Sequence, residues 1–460
     1  MNPPFDIPAD LDTPVSAFLK LAPLQPRFLL ESVEGGERQG RYSFIGFGPG
    51  LEVELRDGIL RVGEDVMAVP DSTEGVLDAL RAALARAPHP GDGLELPFTG
   101  GLVGITGYDL VRRIERLPVL ATPGDGHPEA RYFAPRSLLV FDHVSRRVAF
   151  LHDGPDAERQ KIRRRVIAAL RGGCPGFPAG GTFSEPAPSL SRDAFCAGVE
   201  AVREHIRAGD VFQLVLSSAF RGTTDLEPFE VYRALRLLNP SPYLFFFQAD
   251  DLAVIGSSPE ALVKLRAGNA TLRPIAGTRP RGRDEAEDLA HERELLADPK
   301  EAAEHVMLVD LARNDLGRVA QPGTIRVAPS RVIERYSHVM HIVSGVQGRL
   351  AAGRDQFDLF AATFPAGTVV GAPKVRAMEL IEGLEPQRRG LYAGTVGYFG
   401  HGDTMDQAIA IRTLTMMDGT YTYQAGAGVV ADSTPDGEHR EILAKSGALR
   451  AALALAAEGL

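Results

Sequence analysis

The sequence predicts an α+β fold, a sandwich of mainly antiparallel sheets flanked by outer helices. Short runs of β-branched and aromatic residues, separated by Gly, Asp and Pro, crowd the N-terminal part and are typical of antiparallel strands. The later part mixes helical and strand patterns without the regular alternation of a parallel α/β chain. A strand predicted at 211–220 is apolar on both faces, with Phe212 and Leu214 on one and Val211 and Val215 on the other. Such a strand should lie between two layers.

Strands dominate the N-terminal part of the chain. They are predicted at 41–47, 51–55, 59–62 and 137–141. A helix at 73–87 interrupts them, because its apolar residues recur at helical spacing. These residues are Val76, Leu77, Leu80, Ala83 and Leu84.

A change of composition divides the chain. Residues 173–190 are rich in Pro, Gly, Ser and Ala, which predicts a linker or long loop between an N-terminal part, 1–172, and a C-terminal part, 191–460. The C-terminal part opens with a helix that Ser191 can cap and that Gly209 should end.

Bulk composition excludes several classes of function. The 460 residues carry a formal net charge of -10, which gives no electrostatic support to nucleic-acid binding. The two cysteines, Cys174 and Cys196, are without the spacing of a zinc site or a disulfide framework, which favours a reducing cytoplasm. The first residues lack a signal-peptide pattern, and no apolar run approaches the roughly 20 residues of a membrane span. We therefore expect a cytoplasmic protein whose partners include neither nucleic acid nor a membrane.

Two acidic helical motifs carry the strongest chemical signal. Glu301 and Glu304 follow Asp298 in the first motif, and Glu438 and Glu441 form the second. In each motif the glutamates stand three residues apart and hence on one helical face. Four carboxylates from two helices can form an oxygen-rich site, for which Mg²⁺ is the natural cation. The alternative is that these residues only cap and solvate their helices.

Several further features could belong to a polar pocket. Gln213 lies in an apolar strand, so its amide must find hydrogen-bond partners or line a pocket. Arg412, at a strand end, is either an edge residue that reaches solvent or a clamp for a carboxylate. His341 is either a satisfied core residue or part of a site. The glycines of 424–428 and the segment 367–374 could bind an anion or simply form turns. Together these features describe a pocket for a small ligand with two carboxylates.

Five segments together resemble the chorismate-utilising enzymes. They lie in that family's order, at 273–282, 304–319, 338–348, 364–379 and 424–445. The family fold, two sheets in a sandwich flanked by helices, agrees with the pattern described above. The resemblance implies that the pocket binds chorismate, a ring that carries one carboxylate directly and another on an enolpyruvyl side chain.

The resemblance also implies roles for matching residues. Glu304 and Glu441 would bind Mg²⁺ directly, and Glu301 and Glu438 would bind it through water. Glu260 would protonate the departing C4 hydroxyl, because hydroxide is a poor leaving group. The other implied site residues are Gly426, Ala427 and Gly428 at the ring carboxylate, Tyr392 and Arg412 at the enolpyruvyl carboxylate, His341 and Thr368 at the ring and its leaving oxygen, and Thr278 and Lys445 in the wall.

Two positions narrow the implied reaction. Ala276 stands where aminodeoxychorismate synthases carry a lysine that attacks C2, so this covalent route is closed. Gln213 stands where isochorismate and salicylate synthases carry a lysine that activates water, and glutamine is not a base. Ammonia addition at C2, loss of the C4 hydroxyl and elimination of pyruvate remain, as in the anthranilate synthases. The alternatives are an aminodeoxychorismate synthase, a 2-amino-2-deoxyisochorismate synthase and a non-catalytic paralogue that binds chorismate or tryptophan.

A second group of motifs resembles the tryptophan feedback site of anthranilate synthases. Residues 29–32 and 41–46 form one half and 239–245 the other, with Leu244 in place of a usual methionine. The alternative is an ordinary strand end and a proline turn. The implied tryptophan-binding residues are Glu31, Ser32, Arg41, Asn239, Pro242, Tyr243 and Leu244.

The resemblance further implies a protein partner. The sequence shows neither a glutaminase domain nor a nucleophilic-cysteine motif. Ammonia is therefore expected from free solution or from a separate glutamine amidotransferase subunit, in a heterotetramer. Chorismate is the expected substrate and tryptophan the expected inhibitor.

Overall fold

The protein is described by a computed structural model that covers residues 4–32, 40–91, 93–124, 126–176, 180–335 and 339–460. His338, which opens one of the family-like segments, lies outside these ranges. The strands, in chain order, are β1 (Ile7–Pro8), β2 (Pro26–Glu31), β3 (Tyr42–Arg56), β4 (Ile59–Val62), β5 (Asp65–Ala68), β6 (Gly101–Thr106), β7 (Ala130–Asp142), β8 (Arg147–His152), β9 (Ala187–Pro188), β10 (Gln213–Thr223), β11 (Tyr243–Gln248), β12 (Ala253–Ser258), β13 (Ala261–Arg266), β14 (Asn269–Leu272), β15 (Ile275–Pro280), β16 (Arg326–Val327), β17 (Val332–Arg335), β18 (Val339–Val343), β19 (Val346–Arg349), β20 (Gly371–Ala372), β21 (Thr395–Gly400), β22 (Thr404–Ile409), β23 (Thr413–Met417) and β24 (Thr420–Val429). The α-helices are α1 (Pro14–Lys20), α2 (Thr73–Arg86), α3 (Asp156–Arg171), α4 (Arg192–Arg207), α5 (Pro228–Leu238), α6 (Glu285–Ala297), α7 (Pro299–Gly317), α8 (Gln356–Thr363), α9 (Lys374–Leu384) and α10 (Pro435–Glu458). Short 3-10 helices lie at Ala22–Leu24, Tyr108–Arg113 and Gly367–Val369.

Antiparallel pairing gives two large sheets that are continuous through β3 and β7. The first runs β1–β8–β7–β3–β2–β11–β12–β23–β24–β10, and β9 and β20 add to its β10 edge. The second runs β5–β4–β3–β7–β6–β21–β22–β13–β14–β19–β16. A small third sheet has the order β15–β18–β17. The predicted α+β sandwich of mainly antiparallel sheets is confirmed.

The two large sheets enclose one of the hydrophobic clusters. Phe28 and Phe245 enter it from the first sheet, and Val103, Val396 and Ala408 enter it from the second. A larger cluster packs helices such as α2, α9 and α10 against the outer faces. Burial of these apolar faces is the main force that holds the layers together.

Local sequence signals account for several element boundaries. The Ser191 hydroxyl accepts a hydrogen bond from the Ala194 N–H at 3.2 Å and caps α4. Just beyond the helix, Gly209 has φ +81°, a conformation that favours glycine. In β3, Gly48 has φ +74° where the pairing with β7 shifts register, so the strand can turn from one sheet into the other. The segments predicted at 41–47 and 51–55 are therefore one bent strand.

One residue of the predicted strand at 211–220 lies elsewhere than expected. The strand begins at Gln213, and Phe212 just before it is 72% exposed, so the inward position expected for Phe212 is wrong. Gln213 and Leu214 are buried as expected.

Strands from both parts of the chain share the sheets. Strand β2 pairs with β11, and β6 pairs with β21. Within the stretch predicted to be a linker, Ala187–Pro188 pairs with β10. The division into parts at 1–172, 173–190 and 191–460 stays a prediction. Among the helices that the structure describes, none combines the length and low charge that crossing a bilayer requires.

Candidate active site

A cavity of about 600 Å³ opens between the third sheet, the N-terminal halves of α7 and α10, and the turn between β12 and β13. Eight residues predicted for the substrate or metal site line it. They are Glu260, Ala276, Thr278, Glu304, His341, Arg412, Glu441 and Lys445. The segment 239–242, which leads into β11, forms a further part of the wall.

Glu260 lies in the turn between β12 and β13. The Ser258 hydroxyl accepts from the Glu260 N–H at 3.4 Å and donates to the Glu260 carbonyl at 3.3 Å, which holds the turn. The Thr368 hydroxyl donates to Oε1 of Glu260 at 3.0 Å. Burial raises the pKa of the Glu260 carboxyl to about 7, against the opposite effects of this hydrogen bond and of the Lys445 and Arg412 charges. The carboxyl can therefore hold a proton near neutral pH and donate it.

A bulge in the third sheet positions His341. Thr278 pairs directly with His341, but the register shifts just before it, at Gly277, which has φ +65°. The Gly277 carbonyl accepts from Nδ1 of His341 at 3.0 Å, so in the neutral ring the proton is on Nδ1. Burial lowers the pKa of His341, which keeps the ring neutral at pH 7. The Thr278 hydroxyl lies 3.0 Å from the same nitrogen.

Arg412 connects β22 to β23 in an uncommon backbone conformation. Its φ is +49°, and its carbonyl accepts from the Ser257 N–H at 3.1 Å. A left-handed conformation at a residue other than glycine or asparagine stores strain, and such residues cluster at functional sites. Arg412 lines the cavity.

Helices α7 and α10 bring the predicted acidic residues into one electrostatic group. Asp298 caps α7 by accepting from the Lys300 N–H at 2.9 Å. Burial raises the pKa of the Glu304 carboxyl, and the charges of Glu301 and Glu441 raise it further. Burial and the Glu441 charge likewise raise the pKa of Glu438. These carboxylates repel one another, and a divalent cation would relieve that repulsion.

The same carboxylates have other partners in this structure. Glu441 lies 2.7 Å from Nζ of Lys445, and Glu301 lies 3.3 Å from the Arg279 guanidinium. Oε2 of Glu438 is buried and has no hydrogen-bond partner within the described residues. In the described ranges, no three His, Cys, Asp or Glu side chains form a preformed metal cage. Because Mg²⁺ commonly takes only one or two protein carboxylates together with water and substrate oxygens, the donor set still suits it.

Two glycines in β24 allow polar side chains to lie against the backbone. A Cβ added at Gly426 would meet the Tyr392 hydroxyl at 2.5 Å, and one added at Gly428 would meet Nε2 of Gln213 at 2.5 Å. The Gln213 side chain also hydrogen-bonds the Glu304 carboxylate and lowers its pKa. The residues that line the cavity do not include Gln213, Thr368, Tyr392 or the segment 426–428. Tyr392 lines another cavity, and the segment 426–428 reaches the lining through Lys445, whose Nζ donates to the Gly426 carbonyl at 3.1 Å.

A buried ion pair next to Tyr392 supports the site and is not among the residues predicted from the sequence. Arg389 and Glu385 are both almost fully buried and lie 2.7 Å apart. The Arg389 guanidinium lies 5.4 Å from the Tyr392 ring centroid and donates to the carbonyls of Val215 at 2.8 Å and Val369 at 2.7 Å. Charged residues four positions apart were the only sequence signal, and such pairs usually lie on helix surfaces.

A second cavity, of about 130 Å³, lies between the two large sheets. Strands β2, β3 and β11 contribute to its lining from the first sheet, and β13, β21 and β22 from the second. Five of the residues predicted to bind tryptophan line it, namely Glu31, Ser32, Pro242, Tyr243 and Leu244.

The second cavity combines aromatic rings with both signs of charge. The Tyr243 hydroxyl donates to Asp406 at 2.9 Å, and Nζ of Lys264 lies 3.0 Å from the same carboxylate. The Glu31 carboxylate is held by Arg236 at 2.9 Å and also accepts from the Tyr232 hydroxyl. An aromatic zwitterion would find both a stacking surface and charged partners here.

The other two predicted tryptophan-site residues lie outside this second cavity. Arg41 pairs with Asp142 at 3.0 Å. Asn239 donates to the Ser257 hydroxyl at 3.1 Å and lines the larger cavity. Pro242 lines both cavities, so the segment 239–242 connects one site to the other.

Comparison with known proteins identifies relatives over nearly the whole chain. A family model described as chorismate binding enzyme matches residues 25–451. Anthranilate synthase component 1 of Thermus thermophilus is 45% identical and covers 98% of this chain and 97% of its own length. The same component of Cereibacter sphaeroides is also 45% identical, over 96% of this chain and 92% of its own.

Solved structures agree with this relationship. The crystal structure of anthranilate synthase component I from Streptococcus pneumoniae matches with a TM-score of 0.81 and 36% identity, over 91% of this chain and 93% of that one. The menaquinone-specific isochorismate synthase of Escherichia coli shares the fold, with a TM-score of 0.70 at 20% identity over 95% of this chain and 91% of its own. The chain described here therefore belongs to the chorismate-binding enzyme family, among its anthranilate synthase component 1 members.

Proposed function

We propose that this protein converts chorismate and ammonia to anthranilate and pyruvate, the first committed step towards tryptophan. One observation carries the proposal. Glu260, His341 and Arg412 line the same cavity as Glu304 and Glu441. Other members of the family use a lysine at one of two positions, either as a nucleophile or as a base. This chain has Ala276 and Gln213 there, so neither lysine is present.

The cavity offers complementary groups to both carboxylates of chorismate. Arg412 and the Tyr392 hydroxyl are the partners we assign to the enolpyruvyl carboxylate, because guanidinium groups bind carboxylates with two parallel hydrogen bonds. We assign the glycine backbone at 426–428 and Lys445, which are joined by a 3.1 Å hydrogen bond, to the ring carboxylate. When bound by Glu304 and Glu441, Mg²⁺ would neutralise that carboxylate and fix the ring.

Glu260 supplies the proton that the reaction requires. Ammonia forms a bond to C2 with its lone pair, the ring double bonds shift, and the bond from C4 to its hydroxyl oxygen breaks. The hydroxyl leaves as water because the Glu260 carboxyl protonates it. The neutral His341 ring and Thr278 orient the substrate without adding charge. The added nitrogen releases one proton and becomes the amine. Loss of the C2 proton and cleavage of the C3–O bond then make the ring aromatic, and the released enolate takes up a proton at its methylene carbon to become pyruvate.

The test is an incubation of the purified chain with chorismate, Mg²⁺ and an ammonium salt. Anthranilate is measured by its fluorescence and pyruvate by a coupled enzyme, and equal amounts of both are expected. Accumulation of 2-amino-2-deoxyisochorismate without pyruvate would move the assignment to that synthase. If neither product forms, a non-catalytic role as a chorismate or tryptophan binder would replace the proposal.

A glutamine amidotransferase subunit is the partner we propose for this protein in the cytoplasm. The related proteins are named as a first component, which implies a second. Ammonium salts should support turnover by this chain alone, whereas glutamine should support it only after the partner is added. Size-exclusion chromatography with light scattering of the mixture tests for the heterotetramer. Full glutamine-dependent activity of the single chain would contradict the need for a partner.

Tryptophan is the inhibitor we propose for the cavity between the sheets. The cavity provides aromatic surfaces together with Lys264 and Asp406, which can bind the carboxylate and ammonium of an amino acid. Ser32→Ala removes a hydroxyl from this cavity alone, so we expect weaker inhibition by tryptophan with little change in kcat. Ser72→Ala, a helix cap elsewhere, is the control. Equal inhibition of the wild-type protein and both variants would show that Ser32 does not contribute to tryptophan binding.

A further inference from the structure

Glu260 lines a second space in addition to the substrate cavity. A smaller cavity of about 40 Å³ is bounded by Glu260, Thr368, Thr363, Arg273 and Asp315 among apolar neighbours. Within the described residues, Glu260 is common to the linings of the two cavities. Because a water molecule needs roughly 10–15 Å³ of such space, the volume suits about three waters, and the polar side chains of the lining would be their partners.

Asp315 is the other acidic residue that bounds the small cavity. Both of its carboxylate oxygens lie 2.8 Å from Nζ of Lys374, which also donates to the Thr363 carbonyl at 3.1 Å. The Asp315 side chain keeps 11% of its surface exposed, which leaves it accessible to a water molecule. Lys374 ends the segment 367–374, and the proposed function supplies no role for it.

The charges around Asp315 suit a group that can gain and lose a proton. Burial raises the pKa of the Asp315 carboxyl to about 6, although Lys374 and Arg318 lower it. Burial lowers the pKa of Lys374. Arg318 in turn pairs with Glu115 at 3.4 Å, which reduces its effect on Asp315. Because the pKa of Glu260 is about 7, the two carboxyls differ little in pKa, and a proton can pass from Asp315 to Glu260 at little cost in free energy.

Each turnover leaves Glu260 without the proton that it gave to the departing hydroxyl. The front of Glu260 faces the substrate cavity, which holds chorismate or its product during the reaction. A donor behind Glu260 would restore the proton while the product is still bound. The small cavity is the space that the structure provides there.

We propose that Asp315, positioned by Lys374, reprotonates Glu260 through water in the small cavity. The inference rests on the proposed function, because it assigns a proton source to that reaction. The proton comes from bulk water through Asp315, and the Asp315 carboxylate regains one from solvent. Asp315 acts through Glu260 and does not line the substrate cavity.

Asp315→Asn keeps the shape of the side chain but cannot donate a proton as an acid. With saturating chorismate, Mg²⁺ and ammonium, we expect kcat to fall at least tenfold while KM for chorismate is unchanged. The solvent deuterium isotope effect on kcat should increase. In this variant, kcat should rise with the concentration of a small weak acid such as acetic acid, because that acid can enter the cavity and replace the missing donor. A purely structural role would produce no such rescue.

Matched variants separate proton supply from stability. Asp12→Asn removes an equally buried aspartate from its 2.7 Å pair with Lys20 on α1 and should leave kcat unchanged. The double variant Asp315→Asn with Lys374→Met avoids leaving a buried lysine unpaired. It should fold, lose kcat as Asp315→Asn does, and show the same rescue.

The inference is overturned if the folded double variant keeps the wild-type kcat without dependence on the weak acid. If neither charge variant folds, Ala312→Val decides, since it narrows the small cavity while both acids remain. A rescuable loss of kcat would then support the inference, and a wild-type kcat would overturn it. Failure of the wild-type protein to form anthranilate would instead disprove the proposed function.

Discussion

Gly277 shows how a single backbone conformation positions two parts of the site. At φ +65° its carbonyl accepts from Nδ1 of His341, and its Cα lies so close to α6 and α7 that an added Cβ would meet Leu295 at 2.8 Å and Glu301 at 3.0 Å. Gly277 therefore needs both a left-handed backbone conformation and the absence of a side chain. Gly353 is the matched control, because it has φ +79° but open space around it.

Gly277→Ala should cost stability and activity together. The left-handed conformation alone costs about 1 kcal/mol, and displacement of the neighbours adds to it. We expect denaturant unfolding to show a loss of roughly 2–3 kcal/mol for Gly277→Ala and about 1 kcal/mol for Gly353→Ala. Only Gly277→Ala should also lower kcat, because it moves the acceptor of His341. Equal effects of both variants would show that the carbonyl position is unimportant.

Glu260→Gln should remove the proton donor without changing the shape of the turn. We expect kcat to fall by about 10²–10⁴. In the wild-type protein, kcat should decline as pH rises through about 7, because the raised pKa keeps Glu260 protonated only below that value. The rates must be compared at constant free ammonia, whose share of total ammonium increases with pH. Glu200→Gln, on the exposed face of α4, is the control. A kcat independent of pH between 6 and 8 would contradict this role.

At the scale of elements, α7 and α10 bring the acidic residues together from distant parts of the chain. Glu304→Gln and Glu441→Gln each remove one charge from that group. We expect each variant to require at least about tenfold more Mg²⁺ for half-maximal activity, since the metal loses a ligand or its support. Titration of activity with Mg²⁺ tests this, with Glu379→Gln on α9 as the control. Unchanged Mg²⁺ dependence in both variants would place the metal elsewhere.

Elements whose signals are local were predicted well. Ser191 and Gly209 mark α4 because capping depends on only a few neighbouring residues. Strand β7 was predicted only over 137–141, although it begins at Ala130, since its first half pairs with β6 in the other sheet. Strand order and the bend of β3 depend on contacts between residues far apart in sequence, which periodicity does not report.

Much of the candidate site could be inferred from motifs by resemblance, but its supports could not. Glu260 and Thr368 are distant in sequence, and only the fold shows that they share a hydrogen bond. The Lys374–Asp315 and Arg389–Glu385 pairs carry charges that a sequence pattern assigns to solvent. These pairs are buried because helices and sheets from distant parts of the sequence pack around them.

For the whole molecule, the segment 239–242 predicts reciprocal regulation. Pro242 touches both cavities, so a ligand that shifts β11 also shifts the wall of the catalytic cavity. Chorismate with Mg²⁺, in the absence of ammonia, should weaken tryptophan binding by the same factor by which tryptophan weakens chorismate binding. Isothermal titration calorimetry measures both factors, which we expect to be about 5–150-fold. Tryptophan affinity that is independent of chorismate would exclude this linkage.

The long strands β3 and β7 belong to both large sheets, and β2 and β6 hydrogen-bond to strands from the other end of the chain. If the two predicted parts were produced as separate polypeptides, each would therefore expose unpaired edge strands. Produced separately, these parts should aggregate. Produced together, they should find one another and restore a working enzyme, much as complementing fragments do. We expect the molecule to fold as one cooperative unit, because neither part has a complete hydrophobic core of its own.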